Sequence, residues 1–172
     1  SHAGKKTCED AIKFSKKPVA ISHANPTFFH KSIRNIESDV LKKLVNKNGF
    51  IGLSLYPYHL KNLGKCKEED FAQMIKDLIQ LIGEDNIGIG SDLCLNWPNE
   101  VVMWMRNGKW TKKIDYGESK EKNPEWPELP SWYNKPGDLK NLFYILNKNN
   151  ISEKISEKIL GINWLNFMKQ HF

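Results

Sequence analysis

The amino-acid sequence predicts an α/β fold in which short parallel strands alternate with amphipathic helices. Three apolar runs, each bounded by polar or turn residues, have the length and composition of buried strands: Pro18–Ser22 (PVAIS), Phe50–Leu55 (FIGLSL) and Ile87–Ser91 (IGIGS). Helix-length segments separate these runs, so that the pattern repeats at roughly 30 to 40 residues, as in strand–helix–strand units. The three strands are therefore expected to lie parallel in one sheet.

The segments between and around the strands predict helices. Ile36–Lys47 has apolar residues at helical spacing, with Ser38 and Asp39 near its start as a cap. Glu68–Ile82 carries one apolar stripe and begins with acidic residues, and Gly83 follows as a stop signal. Four further helical segments are predicted, with a break at Gly161 between the last two: Cys8–Ser15, Asp138–Asn147, Ser152–Leu160 and Asn163–Gln170.

The region after the third strand departs from this alternation. An apolar stretch at Val101–Met105 is followed by Asn107–Pro136, which is rich in Pro, Trp, Lys and Glu. An irregular segment of this length usually covers a site or contacts a partner. The segment contains several Trp and Tyr residues that argue against simple disorder, among them Trp110, Tyr116, Trp126 and Trp132.

Composition excludes several classes of protein. The formal charge of +6 comes from lysines spread along the chain, which indicates a solvated surface rather than a nucleic-acid-binding face. The three cysteines form no CxxC pair, so we expect neither a disulfide framework nor a thiolate zinc site, and a reducing, cytoplasmic location. No apolar run approaches the roughly 20 residues of a spanning helix, so a soluble chain without membrane contact is expected.

Polar residues directly follow each predicted strand. His23 follows the first strand, Tyr56 the second and Asp92 the third. Since the carboxyl ends of parallel strands meet at one edge of a sheet, these side chains should lie near one another. A neutral imidazole can bind zinc, and a carboxylate can bind a cation or move a proton. The residues alone leave two interpretations open: a catalytic cluster, or polar side chains that simply end each strand.

Several motifs together resemble one family. SKKPVAISHAN, followed eleven residues after His23 by Arg34-Asn35, resembles the renal (membrane) dipeptidase family, peptidase M19, in which a strand ends in SHS or SHA and an Arg-Asn pair follows. GFIGLSLYP and DNIGIGSD resemble the next two strands, SHAGKKTCEDAI resembles the family's DLSH segment, and ILGINWLNFM resembles its closing helix. The resemblance covers nearly the whole chain. It implies that residues 1–172 are the C-terminal half of a metal-dependent hydrolase (β/α)8 barrel, three parallel strands plus C-terminal helices, without the N-terminal half.

The resemblance also implies roles for individual residues. His2 and His23 would be ligands of the second zinc of a bridged pair. Arg34 would bind the terminal carboxylate of the substrate, for which a two-pronged guanidinium suits better than lysine. Asp92 would be the catalytic residue that holds the free amino group beside the attacking water, and Tyr56 would line the substrate pocket.

The family implies a dipeptide as substrate and two Zn²⁺ ions in a complete site. Its other metal ligands, an HxD pair and a bridging glutamate, and a further histidine have no counterpart here, so the missing N-terminal half is the expected partner; a homodimer is also compatible. Two alternatives stay open. One is a related barrel metallohydrolase, such as an amidase or a lactonase. The other is a non-catalytic fragment that needs its N-terminal half.

Some positions depart from the family pattern or lie outside it. GSDLCLNW stands where many members read GSDFDG, and Cys94 within it is expected to be an inert thiol. WMRNGKW resembles a bacterial branch of the family, in which the following loop is expected to cover the mouth of the site. His30, His59 and His171 do not follow strands and are expected to be surface or packing residues.

Overall fold

A computed structural model describes residues 1–95, 98, 100, 101 and 126–171. In these residues, three strands form one parallel sheet in the order β1 (Ala20–Ile21), β2 (Phe50–Ser54) and β3 (Ile87–Ser91). The predicted α/β class and the parallel order are confirmed. β1 is shorter than predicted because the chain leaves its strand path after Ile21 and crosses the sheet at Ser22.

The helices have the predicted order, with some shifted ends. In the described ranges the named α-helices are α1 (Lys5–Phe14), α2 (Ser38–Val45), α3 (Glu68–Ile82), α4 (Leu139–Lys148), α5 (Glu153–Glu157) and α6 (Asn163–His171). Short 3₁₀ turns lie at Pro57–His59, Leu63–Lys65 and Pro136–Asp138. α1 begins three residues before the predicted Cys8, and α2 is shorter than Ile36–Lys47 at both ends. α3 has the predicted bounds, and its last turn ends at Gly83, whose φ of 79° suits glycine.

The predicted break at Gly161 is wrong. A π-helical turn, Lys158–Ile162, joins α5 to α6. The Asn163 side chain, at the end of this turn, donates to the carbonyls of Glu84 (2.7 Å) and Ile87 (2.8 Å), and so ties the turn to the start of β3. This tertiary contact stabilises a continuous helical path where local propensity predicts a break.

The apolar core lies between one face of the sheet and the helices. Ile51 and Leu53 of β2 are fully buried there, and each such side chain contributes about 1.5–3 kcal/mol of stability. The helical residues of this core come from α1, α2, α3 and α4: Cys8, Ile12, Val40, Leu41, Leu44, Phe71, Ala72, Met74, Ile75, Leu78, Ile82, Leu142, Ile145 and Leu146. The helical stripes recognised in the sequence are therefore the faces that pack here.

The opposite face of the sheet is covered at one end by α6. The Phe50 ring lies 4.3 Å from the Trp164 ring and 5.3 Å from the Phe167 ring, between centroids. The Trp164 indole N–H donates to the carbonyl of Ile89 at 2.9 Å. On the outer side of this region, Leu165 is 53% exposed and Met168 is 51% exposed. The closing helix thus fills the amino-terminal half of this face and leaves apolar side chains on its own outer surface.

The predicted Trp-rich loop lies mostly outside the described residues, and so does most of Val101–Met105. Of the described part, Trp132 packs against Phe71 at 5.3 Å between ring centroids and donates its indole N–H to the carbonyl of Cys66 at 2.8 Å. Trp132 is therefore anchored to the end of the core near α3. Across the described ranges, every helix is too short or too polar to span a membrane.

Candidate active site

His2 and His23 form a close pair at the carboxyl edge of the sheet. Their Nε2 atoms are 2.9 Å apart, and their rings meet edge to face at 5.0 Å between centroids. The other ring nitrogen of His23, Nδ1, is 2.9 Å from the hydroxyl of Ser22, which in turn is 3.1 Å from the hydroxyl of Ser1. When Nδ1 donates to Ser22, the Nε2 atom of His23 presents a lone pair.

Asp92 joins this pair from the end of β3. Its Oδ1 atom is 3.9 Å from Nε2 of His23. Asp92 has a φ of 57° and Ser91 a φ of 21°, in the left-handed region that non-glycine residues seldom adopt. The register between β2 and β3 also shifts between Leu53 and Ser54, opposite Ser91. The backbone here departs from regular strand geometry where Asp92 turns towards the histidines.

The charges around the pair favour neutral imidazoles. Burial, followed by the positive charges of Arg34 and His23, lowers the pKa of His2, whereas Asp92 acts in the opposite direction. Burial and the Arg34 charge also lower the pKa of His23. Burial raises the pKa of Asp92, and the charges of His2 and Arg34 oppose that rise. Four predicted site residues are thus close enough to influence one another electrostatically.

Arg34 reaches this cluster from the loop between β1 and α2. Its Nε and Nη2 atoms are buried, and none of the described residues accepts a hydrogen bond from either. A buried guanidinium donor without an acceptor costs free energy, which a bound anion would remove. These two donors could therefore bind an anionic group near the histidine pair.

Tyr56 follows β2 as predicted, but its ring packs within its own loop. The ring lies 5.9 Å from that of Tyr58 and 5.2 Å from that of His59, between centroids. Its backbone N–H donates to the hydroxyl of Ser54 at 3.2 Å. Tyr56 is half-buried at this end of the sheet, and its role in lining a substrate pocket stays a prediction.

A buried polar network, absent from the sequence interpretation, connects the three loops of the site. Asn25 is fully buried; its amide donates to the carbonyls of Ser54 (2.9 Å) and His59 (3.0 Å), and its Oδ1 accepts from the Ser54 N–H (3.1 Å). Asn35 accepts from the Asn25 N–H (3.0 Å) and donates to the carbonyls of His30 (2.8 Å) and His59 (3.1 Å). The network therefore joins the His23, Arg34 and Tyr56 loops.

Two histidines have the predicted packing role, and one tyrosine lies beside the end of β3. His59 is a buried packing residue, and its Nδ1 is 2.8 Å from the Ser54 hydroxyl. His171 packs at 4.9 Å from the Phe167 ring. Tyr133 was missed by sequence reasoning; burial raises its pKa, and a hydrogen bond with Ser91 opposes that rise. The sequence signals for Asn25, Asn35 and Tyr133 were weak: two asparagines shortly after His23 and Arg34, and an aromatic residue in the long loop.

The cysteines are poor candidates for a nucleophile. Burial raises the pKa of Cys66 to about 12, and burial also raises the pKa of Cys94. The Cys94 thiol makes a long contact, 3.9 Å, with the carbonyl of Asp92. Because the thiolate is the reactive form, both side chains are suited to packing rather than attack.

Cys66 should accordingly resist thiol reagents. In a Cys8→Ser, Cys94→Ser variant, we expect Cys66 at pH 8 to react with a thiol reagent at least 100-fold more slowly in the folded protein than in urea. An ordinary thiol of pKa 9.0 would carry roughly a thousandfold more thiolate at that pH. The urea-unfolded variant is the control. Labelling rates within tenfold of each other would contradict the prediction.

The histidine pair fits half of a zinc site. Two imidazole nitrogens on one tetrahedral zinc are roughly 3.3 Å apart, close to the 2.9 Å between these Nε2 atoms. A catalytic zinc takes three protein ligands, and within the described ranges no group of three or more His, Cys, Asp or Glu side chains is suitable for a metal ion. His2 and His23 therefore suit zinc only with ligands from elsewhere.

Comparison with known proteins identifies the family. A sequence model described as membrane dipeptidase, peptidase family M19, matches residues 1–98, which include the five predicted site residues His2, His23, Arg34, Tyr56 and Asp92. The chain belongs to this family. The match covers the three strands, both histidines of the pair and the Arg34 loop, so the predicted resemblance is confirmed.

Curated proteins named as dipeptidases are also similar to this chain. Dipeptidase ataJ of Aspergillus terreus is 27% identical over 173 aligned positions, covering 99% of this chain and 35% of ataJ. An uncharacterized dipeptidase of Schizosaccharomyces pombe is 30% identical over 94 residues, covering 54% of this chain and 23% of that protein. The chain thus spans about a quarter to a third of the length of these relatives.

Solved structures show the same fold. An amidohydrolase from Pseudomonas aeruginosa has a TM-score of 0.84 and 29% identity, covering 98% of this chain and 50% of that one. A metallo peptidase from Rhodobacter sphaeroides, solved with a phosphinate mimic of the dipeptide L-Ala-D-Ala, has a TM-score of 0.75 and 19% identity, covering 100% of this chain and 41% of that one. The α/β arrangement of this M19 chain is therefore shared with an amidohydrolase and a metallo peptidase that are about twice its length or longer.

Proposed function

We propose that this chain contributes half of the active site of a zinc-dependent dipeptidase, which hydrolyses a dipeptide to two amino acids. The observation that carries the proposal is the meeting of His2, His23 and Asp92 with an Arg34 guanidinium whose buried donors have no acceptor among the described residues. Membership of a dipeptidase family supports the same conclusion. The described residues of this chain would supply ligands and substrate contacts, and among them there is no group of three side chains that would complete a metal site.

His2 and His23 would hold one zinc through their Nε2 atoms. Their lowered pKa values support this role, since a neutral imidazole is the form that binds a metal. The Ser22 hydroxyl supports it too, because it orients the His23 ring through Nδ1. When bound, a zinc pair supplies Lewis acidity and activates water for attack on the scissile carbonyl.

Arg34 and Asp92 would bind the two charged ends of the dipeptide. The unsatisfied Arg34 donors match a terminal carboxylate, which can accept two parallel hydrogen bonds from a guanidinium. The Asp92 carboxylate, close to His23, would hold the free amino group next to the scissile bond. Tyr56 would line the pocket between them. The two charged contacts would select substrates of dipeptide length, since both ends must be reached together.

We also propose that the three-stranded sheet is the C-terminal part of a (β/α)8 barrel. β1 and β3 are the outer strands of the described sheet, and Leu165 and Met168 are exposed on α6 beside it. An N-terminal half would pair with the strand edges, cover these apolar side chains and bring the HxD pair and glutamate that the family supplies. The greater length of the relatives supports this assignment.

An amidohydrolase with a different acyl substrate is a second candidate. The solved structure from Pseudomonas aeruginosa, which has 29% identity, is described as an amidohydrolase. Such an enzyme cleaves an amide without requiring a free carboxylate in its substrate. The unsatisfied Arg34 donors favour the dipeptidase, because they need an anion that a neutral acyl substrate lacks.

Replacement of Arg34 tests the proposal. In the enzyme completed with an N-terminal half, we expect Arg34→Lys to lower kcat/KM for a dipeptide by roughly 10- to 100-fold, because lysine keeps the charge but loses the two-pronged donor. Zinc content should be unchanged, since Arg34 is not a proposed ligand. Steady-state kinetics and elemental analysis measure both quantities.

The Arg34→Lys measurement has two controls, one variant and one substrate analogue. Lys31→Ala, an exposed change on the same loop, should leave kcat/KM unaltered. A dipeptide amide, which lacks the carboxylate, should be a poor substrate for the wild-type enzyme and equally poor for Arg34→Lys. Equal kinetics of wild type and Arg34→Lys on the free dipeptide would refute the carboxylate contact, and preference for the amide would favour the amidohydrolase.

A further inference from the structure

Directly after β1, the chain crosses the face of the sheet that lies opposite the helical core, here called the inner face. The backbone carbonyl of Ser22 lies over both Gly52 of β2 and Gly90 of β3, although β2 separates β1 from β3 in the sheet. Two residues later, the Ala24 N–H donates to the Gly52 carbonyl at 3.0 Å. Between these two contacts stands His23, whose Nε2 is 3.9 Å from Asp92 at the end of β3.

A side chain at Gly52 or Gly90 would occupy the space that this crossing uses. A Cβ atom at either position would lie far closer to the Ser22 carbonyl oxygen than the 3.0 Å below which such contacts are essentially never seen. The obstructing atom is backbone, which cannot rotate aside as a side chain can. The backbone of Ser22 and His23 can therefore follow this course only when both positions lack a Cβ atom.

The third glycine on this face meets a different neighbour. Gly88 pairs with Gly52 in the sheet and precedes Gly90 by two residues, so it points to the same side. A Cβ at Gly88 would meet the side chains of Trp164 (2.6 Å) and Phe50 (2.7 Å), not Ser22. The inner face is thus divided into an end packed by Trp164 and an end occupied by the Ser22–His23 crossing.

We propose that Gly52 and Gly90 are positioning residues for His23. They let the Ser22–His23 backbone lie across β2, so that an imidazole from β1 reaches the carboxylate at the end of β3 and the imidazole of His2. Without the crossing, a side chain following β1 would be separated from Asp92 by the full width of β2, and neighbouring strands lie about 4.8 Å apart. The inference rests on the proposed function for its purpose, but its geometry can be tested without activity.

The test uses NMR of the metal-free 172-residue chain and its Gly90→Ala and Gly52→Ala variants. In the wild type, we expect a nuclear Overhauser contact between the ring protons of His2 and His23, whose centroids are 5.0 Å apart. In either variant that contact should be lost. Gly88→Ala is the matched control, because it adds the same methyl group to the strand that contains Gly90. That methyl group would meet Trp164 and not Ser22. Gly161→Ala, where a Cβ meets nothing within 4 Å, controls for the substitution itself.

A zinc titration of the same samples separates the positioning role of the two glycines from the proposed binding of zinc. The zinc concentration that shifts the His23 ring resonances should rise at least tenfold in Gly90→Ala and stay at the wild-type level in Gly88→Ala. Loss of the histidine contact with no zinc response in any sample would support the positioning role and refute zinc binding by the His2–His23 pair without further ligands. Retention of the contact in both Gly90→Ala and Gly52→Ala would overturn the inference. Global unfolding of Gly90→Ala while Gly88→Ala stays folded would also count against it, by assigning the glycine to folding alone.

Discussion

The 172 residues expressed by themselves are expected to hydrolyse no dipeptide above the buffer rate and to retain less than one zinc per chain. His2 and His23 would supply two nitrogen ligands, and the described residues contain no group of three suitable side chains. A catalytic zinc needs three protein ligands, and the second metal of the proposed pair needs its own set. Elemental analysis and a dipeptide hydrolysis assay measure both expectations.

Activity should appear when an N-terminal segment of the family, carrying the HxD pair and the glutamate, is coexpressed with this chain. The same complementation with His23→Ala should stay inactive, because the added half cannot replace a ligand that comes from β1. Substantial dipeptide turnover by the 172 residues alone would refute the half-site proposal. Full activity of the complemented His23→Ala variant would remove His23 from the ligand set.

Asn25→Ala is expected to lower the free energy of unfolding by roughly 3–5 kcal/mol, a large part of the stability of an ordinary domain. Asn25 is fully buried and satisfies the N–H and carbonyl of Ser54 and shares the carbonyl of His59 with Asn35. Alanine would leave the two Ser54 groups buried without partners, at about 1–3 kcal/mol each, and would add a small cavity. Urea denaturation followed by circular dichroism measures the change.

The exposed Asn166 provides a matched control for this substitution. Asn166→Ala removes the same amide from the surface of α6 and should change the unfolding free energy by no more than about 0.5 kcal/mol. A loss below 1 kcal/mol for Asn25→Ala would show that the network joining the three site loops is not a major source of stability.

The local pattern of the sequence was sufficient for the main elements of the fold. The β2, β3 and α3 assignments agree with the structure within one residue at each end, since their apolar periodicity is also the pattern of burial. At Gly161 the local pattern failed, because contacts between Asn163 and the start of β3 stabilise a π turn there. Propensity describes a segment in isolation, and residues distant in sequence can outweigh it.

The residues of the candidate site also fall into two groups, those that the sequence identified and those that it did not. His23, Tyr56 and Asp92 could be selected because each follows a strand, and Arg34 and His2 because the family motifs contain them. The ends of parallel strands meet at one edge whatever the details of packing, so the approximate location followed from topology. Asn25 and Asn35 lie within the same motifs but were not selected, and Tyr133 had no motif signal, because a buried asparagine or tyrosine looks like a loop residue until its partners are known.

By itself, the sequence determined the α/β class, the order of the strands along the chain, the family and the residue types available to the site. Only the tertiary structure decided that the Ser22 backbone crosses over Gly52 and Gly90, and that His23 thereby meets both His2 and Asp92. The physical reason is the range of the interactions. Periodicity and motifs record neighbours a few residues apart, whereas the crossing depends on steric room between backbones 30 and 68 residues distant in sequence.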